Sequence, residues 1–341
     1  PASLKSPSML KSIQALRTPA AEVVTADGEL VRADADHHPD LLWGLTGGGG
    51  GLGVVTALEF DLHPVARVLG GTLFHPTDRA RDVLERYAEW NRTLPDEMAT
   101  AAVFRRFPPL PQVPAPLRGR SFVGVRACWC GPDLREGERL LAPLRAALGE
   151  AEVDTVAVLP VSDLDAISTD PVDPLAVHQH HELLRDLTPG TIDALVELGV
   201  DSPLVLLEAR QLGGALSRPG PALSPIARSD ARFTLNAVGA APTPEAARAV
   251  RAHLGRVAEV LGPHATGAQY VNFLDPTAAP ERVRAAHAPD DRARLAALAD
   301  RYDPHGLFRT RRTATLPVRG SISPQSARAK RVTRTSASRA T

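Results

Sequence analysis

The chain has 341 residues, 39 basic against 39 acidic side chains and a hydrophobic fraction of 43%, enough to bury the core of one large domain or two ordinary ones. No apolar run approaches the roughly 20 residues that cross a bilayer, and residues 1–20 hold no apolar core followed by a small-residue cleavage site, so a cytoplasmic protein without membrane span or leader is expected. The zero net charge hides an asymmetry: residues 1–20 carry Lys5, Lys11 and Arg17 and no acid, 311–341 carry seven arginines and Lys330 and no acid, and the 28 basic groups left in 21–310 face 39 acids, a net of −11.

In chain order, residues 1–20 form a basic tail unlike the acidic stretch from 21 to 310. Glu22 to Thr25 and Glu29 to Ala33 flank Asp27-Gly28, a dipeptide suited to a tight turn with positive φ, and predict a hairpin over 22–33. Pro39 opens a short helix over 39–45, because proline is tolerated in a first turn. The run Gly47 to Gly51, then Leu52 and Gly53, leads into a strand over 54–62. Its even positions Val54, Thr56, Leu58, Phe60 and Leu62, set against Glu59 and Asp61, predict one buried face.

Further strands are predicted at 68–74, 98–107, 121–130, 153–159, 203–211 and 231–239, with helices at 78–92, 133–148, 180–198 and 244–261. The first helix places Ala80, Val83, Leu84, Tyr87 and Trp90 on one stripe. The last has Thr243 as N-cap, Pro244 in its first turn and Val250, Leu254, Val257 and Leu261 along one side. The insert 108–119, with five prolines, is a loop. Tyr270 to Asp275 reads as a short extended segment, followed by helices at 279–287 and 290–301 and by Tyr302-Asp303-Pro304-His305-Gly306-Leu307-Phe308, where Asp303 caps or starts a turn. Six strands with interspersed helices predict an α+β fold, a mainly antiparallel sheet covered on one face. The basic end 311–341 fits phosphate contact, a Ser/Thr/Arg-rich segment too poor in large apolar residues to order, or sequence foreign to the fold through a shifted reading frame. Composition leaves the three open; the expectation is a disordered tail that engages neither nucleic acid nor membrane. The Arg, Ala and Pro bias is that of a high-GC bacterial genome.

Several chemistries are excluded or narrowed. Gly48, Gly50 and Gly53 satisfy G-x-G-x-x-G, but a helix precedes them and a strand comes after, the reverse of the order in which a helix N-terminus holds a pyrophosphate. The run is then either a hinge or bare backbone laid against a ligand, where amides approach phosphate oxygens or a flat ring. His178, His180, His181 and Glu182 are expected on a helix face or loop, where only His178, His181 and Glu182 meet helical spacing, and no metal site is expected. Cys128 and Cys130, two apart on a strand, share a face and make an awkward disulfide, consistent with a reducing compartment. No G-x-S-x-G nucleophile elbow occurs.

Four stretches, in order, carry a resemblance: residues 22–65 with the glycine run, Arg210-Gln211-Leu212-Gly213-Gly214-Ala215, Tyr270-Val271-Asn272-Phe273, and Tyr302 to Phe308. Together they cover 21–310, which resembles the C-terminal two-thirds of a berberine-bridge-enzyme-like FAD-linked oxidoreductase, with a PCMH-type FAD-binding domain of the vanillyl-alcohol-oxidase superfamily. The resemblance implies the end of the FAD-binding domain at 21–66, a substrate domain at 67–285, a return to the FAD-binding domain at 286–310, and tails at 1–20 and 311–341. It places Gly48, Gly49, Gly50, Gly51, Gly53, Val54 and Val55 beside FAD. It places Tyr270 and Asn272 near the flavin ring and the substrate, with Tyr270 a phenolic acid/base or an aromatic packed there. The implied reaction is hydride transfer from a CH–OH or CH–NH donor to flavin N5, on small molecules such as sugars, alkaloids or polyketides. The alternative is a non-catalytic remnant or small-molecule-binding module that no longer holds FAD.

The sequence departs from the family at several points. Gly51-Leu52 replaces the usual Asn-Phe, and Gly306 an Asn. Arg210 stands where plant members can carry a glutamate base. No match precedes residue 21 for the segment that holds the pyrophosphate loop and the His and Cys able to bond to FAD.

Overall fold

The Asp27-Gly28 turn sets the first element pair: Gly28 has φ 86°, and β1 (Ala20–Val24) pairs antiparallel with β2 (Leu30–Asp34), Val24 opposite Leu30. The computed structural model describes residues 18–308 apart from 49, 169–174, 215–223, 226–229 and 275–277, so the tails expected at 1–20 and 311–341 lie outside the described residues but for 18–20. Helix α1 (Pro39–Leu45) begins at its proline. After the glycines, β3 (Val54–Glu59) returns along the other side of β1, giving a three-stranded sheet in the order β2-β1-β3. This sheet does not close its core with local residues. Val23, Ala33, Leu41, Trp43 and Leu52 pack against Leu295, Leu298 and Tyr302 of α8 (Pro289–Tyr302).

Between these two chain ends lies a larger sheet of eight strands. They are β4 (Arg67–Pro76), β5 (Met98–Arg106), β6 (Ser121–Trp129), β7 (Val153–Asp154), β8 (Ala157–Pro160), β9 (Val177–Leu184), β10 (Leu206–Gln211) and β11 (Phe233–Ala240). The order is β7-β4-β6-β5-β10-β11-β9 with β8 also on β4, and every pairing is antiparallel. Strand alternation sends Met98, Ala102, Phe104, Val123, Val125, Leu207, Ala209, Leu235 and Ala237 to one face. There they form a single core with α2 (Ala80–Asn91), α3 (Leu134–Leu148), α5 (Pro189–Gly199) and α6 (Pro244–Leu261). Two short helices, α4 (Asp165–Ser168) and α7 (Pro280–Arg284), complete the set among the described residues. The stripe expected on α2 is buried throughout, and Thr243 caps α6 by accepting from the Ala246 amide at 3.2 Å. Asp303 takes the amides of Leu307 and Phe308 at 2.6 and 2.8 Å, the turn role expected of it. Among the described residues no helix is long and apolar enough to cross a membrane.

Four expectations are corrected. The helix expected over 180–198 is strand β9 followed by α5. Residues 177–184 pair in unbroken register with β11, Val177 opposite Ala240 through Leu184 opposite Phe233, and the helix starts only at Thr188-Pro189, where the Thr188 hydroxyl accepts from the Thr191 amide at 3.2 Å. The strand expected over 153–159 is broken into β7 and β8 at Thr155. The Thr155 side chain takes the Thr72 amide at 2.9 Å, and the backbone comes so close to β4 that a Cβ on Gly71 would lie 2.4 Å from the Thr155 carbonyl. The strand over 54–62 ends at Glu59 and has every residue exposed, not one face buried, since β1 is its one partner among the described residues. The extended segment at 270–275 is a single 3-10 turn, Val271–Phe273.

His75 on β4 is 1% exposed, its Nδ1 3.2 Å from Nη1 of Arg79 and its Nε2 without a hydrogen-bond partner among the described residues. Burial first, and the Arg79 charge second, push this imidazole below the ordinary 6.5. The unfolded chain therefore binds the proton before the folded one does. The stability tied to neutral His75 is complete above about 6.5 and is lost as pH falls below it. In His75→Leu the difference in urea midpoint between about pH 7.5 and about pH 5.5 should shrink; an unchanged difference would assign that pH dependence elsewhere.

Candidate active site

The alternation that buries Leu207 and Ala209 under the helices turns Glu208 and Arg210 to the other face of the sheet. Across that face Glu208 lies opposite Asn236 and Asn236 opposite His181, while Arg210 lies opposite Thr234. Nη1 of Arg126, on β6, donates to Oε1 of Glu208 at 2.7 Å, and Nη2 of Arg210 donates to Oε2 at 2.8 Å. The Glu208 side chain is 2% exposed, those of Arg126 and Arg210 12% and 19%. A second Arg126 nitrogen reaches the Ser168 carbonyl at 3.4 Å. His181 is buried, with Nε2 2.8 Å from the Thr234 hydroxyl. Its ring stacks on Phe273 at 5.0 Å and 3°, and Tyr270 lies 6.4 Å from His181 and 5.5 Å from Phe273 between ring centroids. The site is thus a buried ion-pair cluster continued by hydroxyl and amide groups to an aromatic corner.

Tyr270 precedes the 3-10 turn and its phenol is pushed up to about 12 by burial. At neutral pH it holds its proton, so it donates a hydrogen bond rather than accepting a proton. Asn272, expected beside it, sits on the exposed side of the turn. The histidine cluster is divided by strand alternation: His180 and Glu182 point to the helix side, His181 to the other, and the helical spacing considered for a metal does not exist. Among the described residues no group of three or more His, Cys, Asp or Glu is placed to hold a metal ion. Cys128 and Cys130 are free thiols, that of Cys128 pushed up to about 12 by burial.

The glycines serve two different needs. A Cβ on Gly48 would lie 2.4 Å from the Gly44 carbonyl and 2.7 Å from Leu295, and one on Gly53 2.5 Å from Val23. These positions are small because the protein's own core fills the space. Gly50 and Gly51 have φ 102° and 92°, a region that only glycine enters at little cost. They lead directly to Val54 and Val55, 53% and 40% exposed. Gly49 lies outside the described residues. A bare backbone stretch running into an exposed apolar strand fits one wall for a flat ligand. Ser224, whose hydroxyl reaches the Thr46 carbonyl at 3.1 Å, and His287, 2.7 Å from the Pro225 carbonyl, tie this wall to the stretch that comes after Tyr270.

Sequence reasoning missed Arg126, Glu208, Thr234 and Asn236, and took His181 only as a possible metal ligand. One signal was present: Glu208 and Arg210 alternate with Leu207 and Ala209 inside an apolar strand, where a charge needs a partner.

No family model matches the chain. Among curated proteins, the FAD-linked oxidoreductase aurO of Gibberella zeae is 29% identical over 182 residues, covering 52% of this chain and 33% of its own length. Among solved structures, berberine bridge enzyme from Eschscholzia californica superposes with a TM-score of 0.70 at 17% identity, over 90% of this chain and 67% of that one. The xylooligosaccharide oxidase of Myceliophthora thermophila C1, in complex with xylobiose, gives 0.66 at 18%, over 85% and 64%. The chain thus spans about a third of the length of that curated relative and about two thirds of the solved structures. The likeness in structure fixes the α+β fold, with its mainly antiparallel sheet flanked by helices.

Removing Glu208 takes the carboxylate shared by two largely enclosed guanidiniums, those of Arg126 and Arg210. Glu208→Ala should cost about 3–5 kcal/mol of stability in urea unfolding and Glu208→Gln less, as for other broken buried pairs. A loss below about 1 kcal/mol for the alanine variant would mean that water replaces the carboxylate.

Proposed function

We propose that this berberine-bridge-enzyme-like chain, a relative of FAD-linked oxidoreductases, supplies the substrate-facing sheet and one wall of the flavin site of an FAD-dependent oxidoreductase. The observation that carries the reading is the left-handed glycine pair, Gly50 and Gly51, running into Val54 and Val55 on a strand exposed on both faces. In this reading residues 21–66 and 286–310 form the flavin-side unit, supported by the core they share, and 67–285 form the substrate-side unit.

Bound FAD supplies a two-electron acceptor, and the protein supplies position and electrostatics. The amides around Gly50 and Gly51 and the apolar surface of Val54 and Val55 would hold it, while Gly48 and Gly53 shape the loop behind. The reaction is the two-electron oxidation of a CH–OH or CH–NH donor, a small molecule, as is the xylobiose in the complex of the xylooligosaccharide oxidase. Tyr270, protonated at neutral pH, donates a hydrogen bond to the donor's oxygen or nitrogen. Arg210 cannot be a base, because a guanidinium keeps its proton in proteins, and its ion pair with Glu208 fixes its charge on the sheet face.

One wall buries less of a ligand than a closed pocket does. Titration of the purified chain with FAD, followed by flavin fluorescence, should give saturable but weak binding. Gly50→Trp, which puts a side chain at the exposed glycine of the pair and strains a positive φ, should weaken it at least about tenfold, or ~1.4 kcal/mol. No saturable binding up to about 1 mM FAD, or equal binding by the Trp variant, would remove these residues from the flavin site.

A further inference from the structure

The segment that carries Tyr270 is gripped from both faces of β9, the edge strand of the eight-stranded sheet. After α6 the chain bridges to β9 at Ala265, opposite Leu184, and donates the Thr266 amide to the Leu183 carbonyl at 2.8 Å. It then passes round the strand edge. On the helix-covered face Glu182, 5% exposed, takes three donors: His180 Nε2 at 2.8 Å, Arg282 Nη1 at 2.8 Å and Gln269 Nε2 at 3.2 Å. Arg282 also donates to the His181 carbonyl at 2.5 Å and to Oε1 of Gln269 at 2.8 Å, so guanidinium, carboxylate and amide close a ring. The Gln269 backbone N–H donates to the Ala285 carbonyl at 3.1 Å. On the other face, one residue away along the strand, the His181 ring stacks on Phe273 at 5.0 Å, and Gln179 Nε2 reaches the Phe273 carbonyl at 3.3 Å. Tyr270, next to Gln269, stands where the chain crosses from one grip to the other.

We infer that Glu182 and Arg282 are positioning residues for Tyr270: from the helix-covered face of β9 they fix Gln269, and through it the placement of the phenol against His181 on the opposite face. This rests on the reading of Tyr270 as the substrate-facing phenol. A buried carboxylate with three donors has one low-energy arrangement, and buried polar networks of this kind specify geometry. Burial raises the Glu182 carboxyl, but the hydrogen bonds from His180 and Arg282 outweigh it and hold it at about 2. The grip is therefore charged across the neutral range and is lost only as pH falls from the ordinary 4.5 towards that value.

The test uses the full chain with its three tyrosines labelled with 13C on the ring, Tyr270 assigned from Tyr270→Phe. Glu182→Gln and Arg282→Met should move the Tyr270 resonance and speed amide exchange over 266–273 by about tenfold or more, with Tyr87 and Tyr302 unmoved and Arg282→Lys restoring part of the effect. If either variant fails to fold, Gln269→Ala, which keeps the ion pair, is read in its place with the same expectation. Folded variants with an unshifted Tyr270 overturn the inference. In FAD-loaded enzyme the same variants should lower kcat about tenfold with KM within about twofold. Full turnover by Tyr270→Phe, with the resonance shifts still present, would refute the role of Tyr270 while leaving the positioning itself in place.

Discussion

A carboxylate taken out of water costs several kcal/mol unless donors meet it, and Glu208 is met by Arg126 from a strand two places away and by Arg210 from its own. That pairing constrains the rest of the sheet face. It requires β6 and β10 to stay in register on either side of β5, with Val103 opposite both Glu208 and Gly124. Gly124 leaves no room for a side chain: a Cβ there would lie 2.7 Å from the Leu73 carbonyl. On the reverse of the same strands Val125, Leu207 and Ala209 enter the helix-covered core. Apolar burial therefore sets the register that the ions need, and the ions penalise any slip, since a shift by one residue would send the charges into the core.

The smaller sheet depends on a contact between distant parts of the chain. β1, β2 and α1 present Val23, Ala33, Leu41 and Trp43, too few to form a core alone, and α8 supplies Leu295, Leu298 and Tyr302. At the same seam Arg294 lies 3.9 Å from the centre of the Trp43 ring and donates to Asp40 at 2.6 Å. The glycines at 44 and 48 let α8 come this close. The wall proposed for the flavin would thus be held by residues that come after the larger sheet in sequence.

The fold is that of the berberine-bridge-type enzymes, and its sheet face carries the Glu208 ion pairs and the His181–Phe273 stack. Arg210 is held in an ion pair with Glu208. The phenol nearest that face holds its proton at neutral pH, and the histidine beside it is buried against Thr234.

The sequence by itself determined the elements whose signals are local. Asp27-Gly28 turned the hairpin, Pro39 and Thr243-Pro244 started helices, and the apolar stripes of α2 and α6 appeared at helical period and were buried. The ordered motifs around the glycine run, Arg210, Tyr270 and Tyr302 were enough to suggest the fold. Only the tertiary structure decided that residues 177–184 are a strand, because their polar run His178 to Glu182 has no strand pattern until β11 pairs with it and takes His181 and Glu182 to opposite faces. Only the tertiary structure brought Arg126 to Glu208 across 82 residues and Arg282 to Glu182 across 100. Propensity and capping act within a turn or two of the chain, whereas strand pairing and the choice of partner for a buried charge are settled by residues that the sequence keeps far apart.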